Sequence, residues 1–142
     1  MDSKFATISD STGTYVAGSS MGGLISMYAM FEYPSVFGAA GCISTHWIGG
    51  FSDNDNPIPA AFLHYMNKNM PDSKSHKIYF DHGTVGLDSM YTVHQLKVNY
   101  AMRDAGYLDN RNLKTDVYLG HNHNERYWAE RLDEVFLFLF VQ

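Results

Sequence analysis

The apolar positions of the chain form four short β-prone runs, and each run is followed by a longer stretch with helical spacing. The short runs cover residues 13–18, 36–44, 77–81 and 115–119, and the longer stretches cover residues 22–33, 60–69, 89–105 and 125–140. The second run consists of small and β-branched residues, which is typical of a parallel strand covered by helices on both faces. Four successive strand and helix units predict an α/β fold with about four parallel strands and flanking helices.

Turn and capping residues mark the limits of these elements. Pro34 ends the first helix, Asp88 or Ser89 caps the third, and Gly106 stops it. Residues 1–12 are polar and predict a flexible N-terminal tail, which leaves residues 13–142 as one domain.

The composition excludes several classes of protein. With 45% hydrophobic residues the chain can bury a core, and its net charge of −5 without a basic cluster argues against nucleic-acid binding. No apolar run approaches the roughly 20 residues that a membrane span needs, so no membrane partner is expected. The N-terminus shows no signal-peptide pattern, which favours a cytoplasmic location. Cys42, the single cysteine, lies in an apolar run that predicts a buried, inert thiol.

The turn after the first predicted strand carries the clearest chemical motif. Residues 18–22 read Gly18-Ser19-Ser20-Met21-Gly22, a G-x-S-x-G pattern between a strand and a helix. In this motif the serine sits on a sharp, strained turn that raises its hydroxyl above the sheet. The pattern predicts that Ser20 is a nucleophile.

Two later loops carry residues that could activate this serine. Asp88 follows the third predicted strand, and His121 and His123 follow the fourth. The carboxyl ends of parallel strands meet at one edge of the sheet, where ligands bind. A serine needs a histidine to take its proton, and the histidine needs a carboxylate to orient it. The order serine, acid, histidine therefore predicts a catalytic triad.

Three stretches together resemble the Putative esterase family of α/β-hydrolases over about residues 13–140. They are Gly18 to Gly23, Lys77 to Thr84 with Leu87-Asp88, and His123-Asn124-Glu125 with Trp128 and Arg131-Leu132. The resemblance implies a serine esterase of small carboxylic esters or thioesters that needs no cofactor. It assigns Ser20 as nucleophile, Asp88 as acid and His123 as base, with the backbone N–H of Met21 as one oxyanion donor.

Other assignments compete with this one. Asp81 could replace Asp88, although a carboxylate at a strand end more often anchors a turn. His121 could replace His123, although the pattern His-Asn-Glu-x-x-Trp follows His123. His121 and His123 could also join His82 and Asp81 at a metal, but their spacing is not a standard ligand arrangement, so no metal is expected.

The loop after the second predicted strand adds candidate substrate contacts. His46 and Trp47 lie there, on the same rim as Ser20. They are expected to line a substrate pocket, unless they pack into the core instead.

The family places several strands ahead of the serine turn, whereas here about a dozen residues precede the first strand. The resemblance therefore covers the C-terminal half of an α/β-hydrolase, and the second oxyanion donor is expected to be missing. The strand before Ser20 then becomes an exposed edge, which predicts a homodimer through that edge. The alternative function is a weak or inactive esterase fragment that acts as an assembly module.

Overall fold

The computed structural model describes residues 4, 5 and 7–141 of the chain. Residues 1–3 and 6 of the predicted tail lie outside the described residues, and the division into tail and domain stays a prediction.

Four parallel strands form a single sheet. They are β1 (Tyr15–Ser19), β2 (Ala39–Ile43), β3 (Lys77–Val85) and β4 (Leu113–Asn122). The order across the sheet is β1-β2-β3-β4, so each strand pairs with the next one along the chain. The register places Ser19 beside Ile43, and Ile43 beside Asp81, at the carboxyl ends of the strands. This arrangement brings the loops after the strands to one edge of the sheet.

Helices cover both faces of the sheet. They are α1 (Met21–Glu32), α2 (Ile58–Asn69), α3 (Thr92–Asp104), α4 (Glu125–Ala129) and α5 (Leu132–Phe140). Alternate strand residues point to opposite faces. Cys42 and Phe80 accordingly join the core beneath α1, α2 and α3, whereas Ile43 and Tyr79 pack against α5. The predicted α/β fold with four parallel strands and flanking helices is confirmed.

The largest differences from the predicted boundaries lie in the second half of the chain. Strand β3 continues through Val85 because it pairs with β4, which extends to Asn122. A short 3₁₀ turn, Gly86–Met90, precedes α3. The expected single helix over residues 125–140 is two helices, since the backbone leaves helical geometry at Arg131 (φ −123°, ψ 8°) and the arginine side chain is buried.

Candidate active site

Ser20 occupies a strained backbone position between β1 and α1. Its φ of 57° and ψ of −120° lie where L-residues are rarely found, at a cost of about 1–3 kcal/mol. Four backbone hydrogen bonds hold the turn. The Ser20 N–H donates to the Ile43 carbonyl at 2.9 Å. The Ser20 carbonyl accepts from the N–H groups of Gly23, Leu24 and His46 at 3.0, 3.3 and 3.3 Å. The neighbouring strand end thus fixes the serine in place.

The glycines of the motif are not equally constrained. A Cβ at Gly18 would lie 2.7 Å from the carbonyl carbon of Gly22, so only glycine allows this approach of β1 to α1. A Cβ at Gly22 would meet nothing within 4 Å, whereas one at Gly23 would lie 3.1 Å from Thr45 Oγ1. The close packing therefore needs small residues at positions 18 and 23, and the second glycine of the motif is sterically free.

His123 joins the serine to a carboxylate. The Ser20 hydroxyl donates to His123 Nε2 at 2.8 Å, and His123 Nδ1–H donates to Asp88 Oδ1 at 2.6 Å. We assign the ring proton to Nδ1 because an ionised carboxylate can only accept. In this tautomer Nε2 keeps its lone pair and can take the serine proton.

Asp88 is fully buried and accepts hydrogen bonds from several sides. Its Oδ2 accepts from the Ser44 hydroxyl at 2.7 Å and from Gly83 N–H at 2.6 Å, in addition to the bond from His123 to Oδ1. Burial by itself raises the pKa of this carboxyl. The bonds from His123, Ser44 and Gly83 outweigh burial and hold the Asp88 pKa below its usual value. Asp88 is therefore ionised at neutral pH.

Aromatic rings enclose the imidazole of His123. The Trp128 ring meets it edge-on at 5.0 Å between centroids, and the Tyr91 ring does so at 5.6 Å. The His46 ring lies 6.1 Å away, and its Nδ1 is 2.5 Å from the Tyr91 hydroxyl. Burial, with a contribution from the charge of His123, lowers the pKa of His46. His46 is therefore a neutral neighbour of the site.

Met21 opens α1 directly after the serine. The first N–H groups of a helix have no acceptor within that helix, and no residue in the described ranges accepts a hydrogen bond from Met21 N–H. Met21 N–H, next to Ser20 in the chain, is therefore available to an acceptor outside the described residues.

The structure separates the competing residues. His121 packs between the rings of Tyr118 and Tyr127, at centroid distances of 5.4 and 4.7 Å, away from the Ser20 contact. Asp81 accepts from Ser44 N–H and the Tyr79 hydroxyl rather than from a histidine. Over residues 4, 5 and 7–141, no cluster of three or more histidine, cysteine or acidic side chains could hold a metal ion.

The two predicted substrate contacts lie in different surroundings. His46 borders His123, as described above. Trp47 is 1% exposed, its Nε1–H donates to Gln95 Oε1 at 2.9 Å, and its ring packs against Phe62 and Phe80. Of the two residues, only His46 borders the Ser20 site directly.

Ser44 and Arg131 were not predicted to belong to the site. Ser44 follows β2 and contacts Asp88, and Arg131 contacts Ser44 from the break before α5. Ser44 could have been predicted from its place directly after β2, because the carboxyl ends of the strands meet at the edge of the sheet where the site lies. For Arg131 the only sequence signal was its position in a stretch that resembles the Putative esterase family.

The strand, serine turn and helix on a parallel sheet, with acid and histidine after later strands, place the fold in the α/β-hydrolase class. The sequence profile of the family described as Putative esterase matches residues 1–139. The chain belongs to this family. No curated protein matches the chain at a significant level.

Solved structures of esterases share the fold. Enterobactin esterase from Shigella flexneri is 17% identical with a TM-score of 0.75, over 94% of this chain and 33% of that chain. A ferulic acid esterase is 22% identical with a TM-score of 0.72, over 97% and 55%. Ferric enterobactin esterase from Salmonella typhimurium is 19% identical with a TM-score of 0.65, over 93% and 31%. The chain thus spans between about a third and just over half of these structures.

In the part of the chain that the structure describes, no helix is long and apolar enough to cross a membrane.

Proposed function

We propose that the chain is a serine hydrolase of small carboxylic esters or thioesters. The observation that carries the proposal is the unbroken contact from Ser20 Oγ through His123 to the buried carboxylate of Asp88. Membership of the Putative esterase family supports the same reaction class.

The reaction follows from the positions of these groups. His123 Nε2 takes the hydroxyl proton as Ser20 Oγ attacks the ester carbonyl, and Asp88 stabilises the imidazolium that forms. Met21 N–H donates to the oxyanion of the tetrahedral intermediate. His123 then gives its proton to the leaving alcohol or thiol, which leaves an acyl group on Ser20. Water activated by His123 releases the acid and restores the serine.

His46 is the candidate substrate contact of the site. Among the described residues, the buried Tyr91 hydroxyl has only His46 Nδ1 as a possible acceptor, so we assign the Tyr91 O–H as the donor and place the His46 ring proton on Nε2. We propose that this N–H contacts the substrate. The name of one matched structure, ferulic acid esterase, suggests methyl ferulate as a test ester beside p-nitrophenyl acetate.

Labelling with a fluorophosphonate tests the nucleophile. The parent and Ser19→Ala are expected to be labelled, whereas Ser20→Ala is not labelled and loses roughly 10⁴-fold or more in kcat for p-nitrophenyl acetate. Ser19 is the matched control because it lies one residue earlier and has a hydroxyl of the same type. Labelling that persists in Ser20→Ala would contradict the assignment, and an unlabelled, inactive parent would contradict the esterase proposal itself.

A second proposal is an assembly role, favoured by the surface around β1. This strand lies at the sheet edge, and α1 beside it carries an exposed apolar stripe. Its members, 59%, 58% and 44% exposed, are Met21, Ile25 and Tyr28. We propose that two copies pair through the β1 edges and bury these stripes.

Light scattering at micromolar concentration tests the dimer. The parent is expected at twice the chain mass of 16.1 kDa, and Ile25→Glu at the chain mass. Val93→Glu, an equally exposed apolar position on α3 (59%), is the control and stays dimeric. A monomeric parent contradicts the proposal.

A further inference from the structure

Arg131 is a buried arginine between two carboxylates. Its side chain is 1% exposed, Nε lies 3.2 Å from Asp81 Oδ2, and Nη2 lies 3.8 Å from Asp88 Oδ2. Nη2 donates to Ser44 Oγ at 2.5 Å. The guanidinium carbon lies 5.0 Å from the centroid of the Tyr118 ring. A buried charge of this kind needs its partners, because removal from water is strongly unfavourable.

Arg131 and Asp81 form an ion pair without an aligned hydrogen bond. Nε is within ion-pair distance of Asp81 Oδ2, but neither Nε nor Nη1 makes a hydrogen bond to any residue that the structure describes. The well-formed bond of Arg131 goes instead to Ser44. The arginine is therefore directed toward the residue that contacts Asp88.

Ser44 connects Arg131, Asp81 and Asp88. Because arginine can only donate, Ser44 Oγ accepts from Arg131 and donates its own proton to Asp88 Oδ2 at 2.7 Å. Its backbone N–H donates to Asp81 Oδ1 at 2.9 Å. Its φ of 44° is a strained conformation for a serine. One residue thus transmits the position of Arg131 to the carboxylate that orients His123.

We propose that Arg131 is a positioning residue that, through Ser44, keeps Asp88 ionised and aimed at His123. Asp81 is its counterion and limits how much of the arginine's positive charge reaches His123. The kinetic part of this inference rests on the proposed esterase function.

Other titratable groups surround this network. Those facing Asp81, Asp88 or His123 from the packed elements are Cys42, His46, Tyr79, Tyr91 and Tyr118. Burial raises the pKa of the thiol and of the three hydroxyls and lowers that of His46, so these groups are neutral at pH 7. His82, buried directly after Asp81, and Asp116, the register partner of Asp81 on β4, also lie beside the network, and Asp116 pairs with Lys114 at 3.5 Å. Among the buried groups, the charges closest to one another are Arg131, Asp81, Asp88 and His123.

An NMR titration of the His123 ring tests the electrostatic part without any ester turnover. The signal is identified by its loss in His123→Gln. Asp81→Asn leaves the arginine unopposed, so the midpoint of the His123 titration is expected to move to lower pH by about half a unit or more. The double variant Asp81→Asn with Arg131→Met removes both charges and is expected to return the midpoint to the parent value.

Arg103→Met removes an exposed arginine and is the control that leaves the midpoint unchanged. An unmoved midpoint in Asp81→Asn would overturn the counterion role of Asp81. A double variant that keeps the midpoint of Asp81→Asn would show that Arg131 is not the source of the field.

Ser44→Ala tests the positioning part by kinetics with p-nitrophenyl acetate. The variant is expected to lose about tenfold in kcat, equivalent to one charge-assisted hydrogen bond, with KM unchanged. The control Ser75→Ala, an exposed serine before β3, keeps the parent kcat. An unchanged kcat in Ser44→Ala overturns the relay. An inactive parent, by contrast, contradicts the esterase proposal, while the NMR titration still decides the charge coupling.

Discussion

The two halves of the candidate site are held by different kinds of force. Ser20 is placed by its backbone, through a strained φ and hydrogen bonds to the end of β2 and the start of α1. Asp88 and His123 are held by hydrogen bonds and ion pairs with buried side chains. The nucleophile side is therefore sensitive to steric changes, and the acid and base side is sensitive to the loss of single charges.

The largest effect is expected at Asp88. In Asp88→Asn the amide can donate to His123 and stabilise the wrong tautomer, which lowers kcat roughly 10⁴-fold. Steady-state hydrolysis of p-nitrophenyl acetate measures this loss, with circular dichroism to verify folding. Asp81→Asn is the matched buried carboxylate and keeps most of the activity. The assignment is contradicted if Asp88→Asn keeps most of its activity while Asp81→Asn loses it.

The second effect is on the pH dependence of stability. Burial raises the pKa of Asp81 to about 6 from 3.8, against the opposing influence of Arg131. Between these values the folded chain holds a proton that the unfolded chain releases. The stabilisation from Asp81 is thus complete below pH 3.8 and is lost as pH rises through 6. Asp88, with its lowered pKa, contributes stability above its unfolded pKa that is lost as pH falls through the folded pKa.

Urea unfolding of the parent and Asp81→Asn at pH 4.5 and 6.5 measures this difference. The free energy of unfolding should increase more with pH in the variant, by roughly 2 kcal/mol. Equal pH dependence in the two proteins would mean that Asp81 titrates normally in the folded chain.

The third effect probes the steric half. Gly18→Ala places a methyl group against the Gly22 carbonyl and is expected to cost about 1–3 kcal/mol of stability and to slow fluorophosphonate labelling. The control Gly22→Ala points into open space, and its stability should stay equal or rise by up to about 1 kcal/mol, because alanine favours a helix. Equal changes in stability and labelling in Gly18→Ala and Gly22→Ala would contradict the steric role of Gly18.

The smallest effect is expected far from both halves. Arg103 and Asp109 form an ion pair with side chains 39% and 53% exposed, and solvent screens such pairs. Arg103→Ala should change the unfolding free energy by at most about 0.5 kcal/mol and leave ester hydrolysis unchanged. A larger change in the free energy of unfolding or in ester hydrolysis would show that this surface ion pair is coupled to the fold or to the site.

The sequence predicted the features that depend on local pattern and strand order. The serine turn follows from a few adjacent residues, and the meeting of Asp88 and His123 follows from the rule that parallel strands end at one edge. The break at Arg131 was not predictable, because residues 125–140 have the same apolar spacing in one helix or two. At this break Arg131 contacts Ser44, after β2, and Asp81, in β3, and contacts between such distant positions are not visible in a local pattern.

The order of the strands also has a consequence for synthesis. Each strand pairs with its predecessor, so the sheet can grow from the N-terminal side as the chain emerges from a ribosome. Ser20 is synthesised 103 positions before His123, the base proposed for it, and Arg131 follows later still. If the proposed triad is correct, a nascent chain that ends before His123 contains Ser20 without its general base.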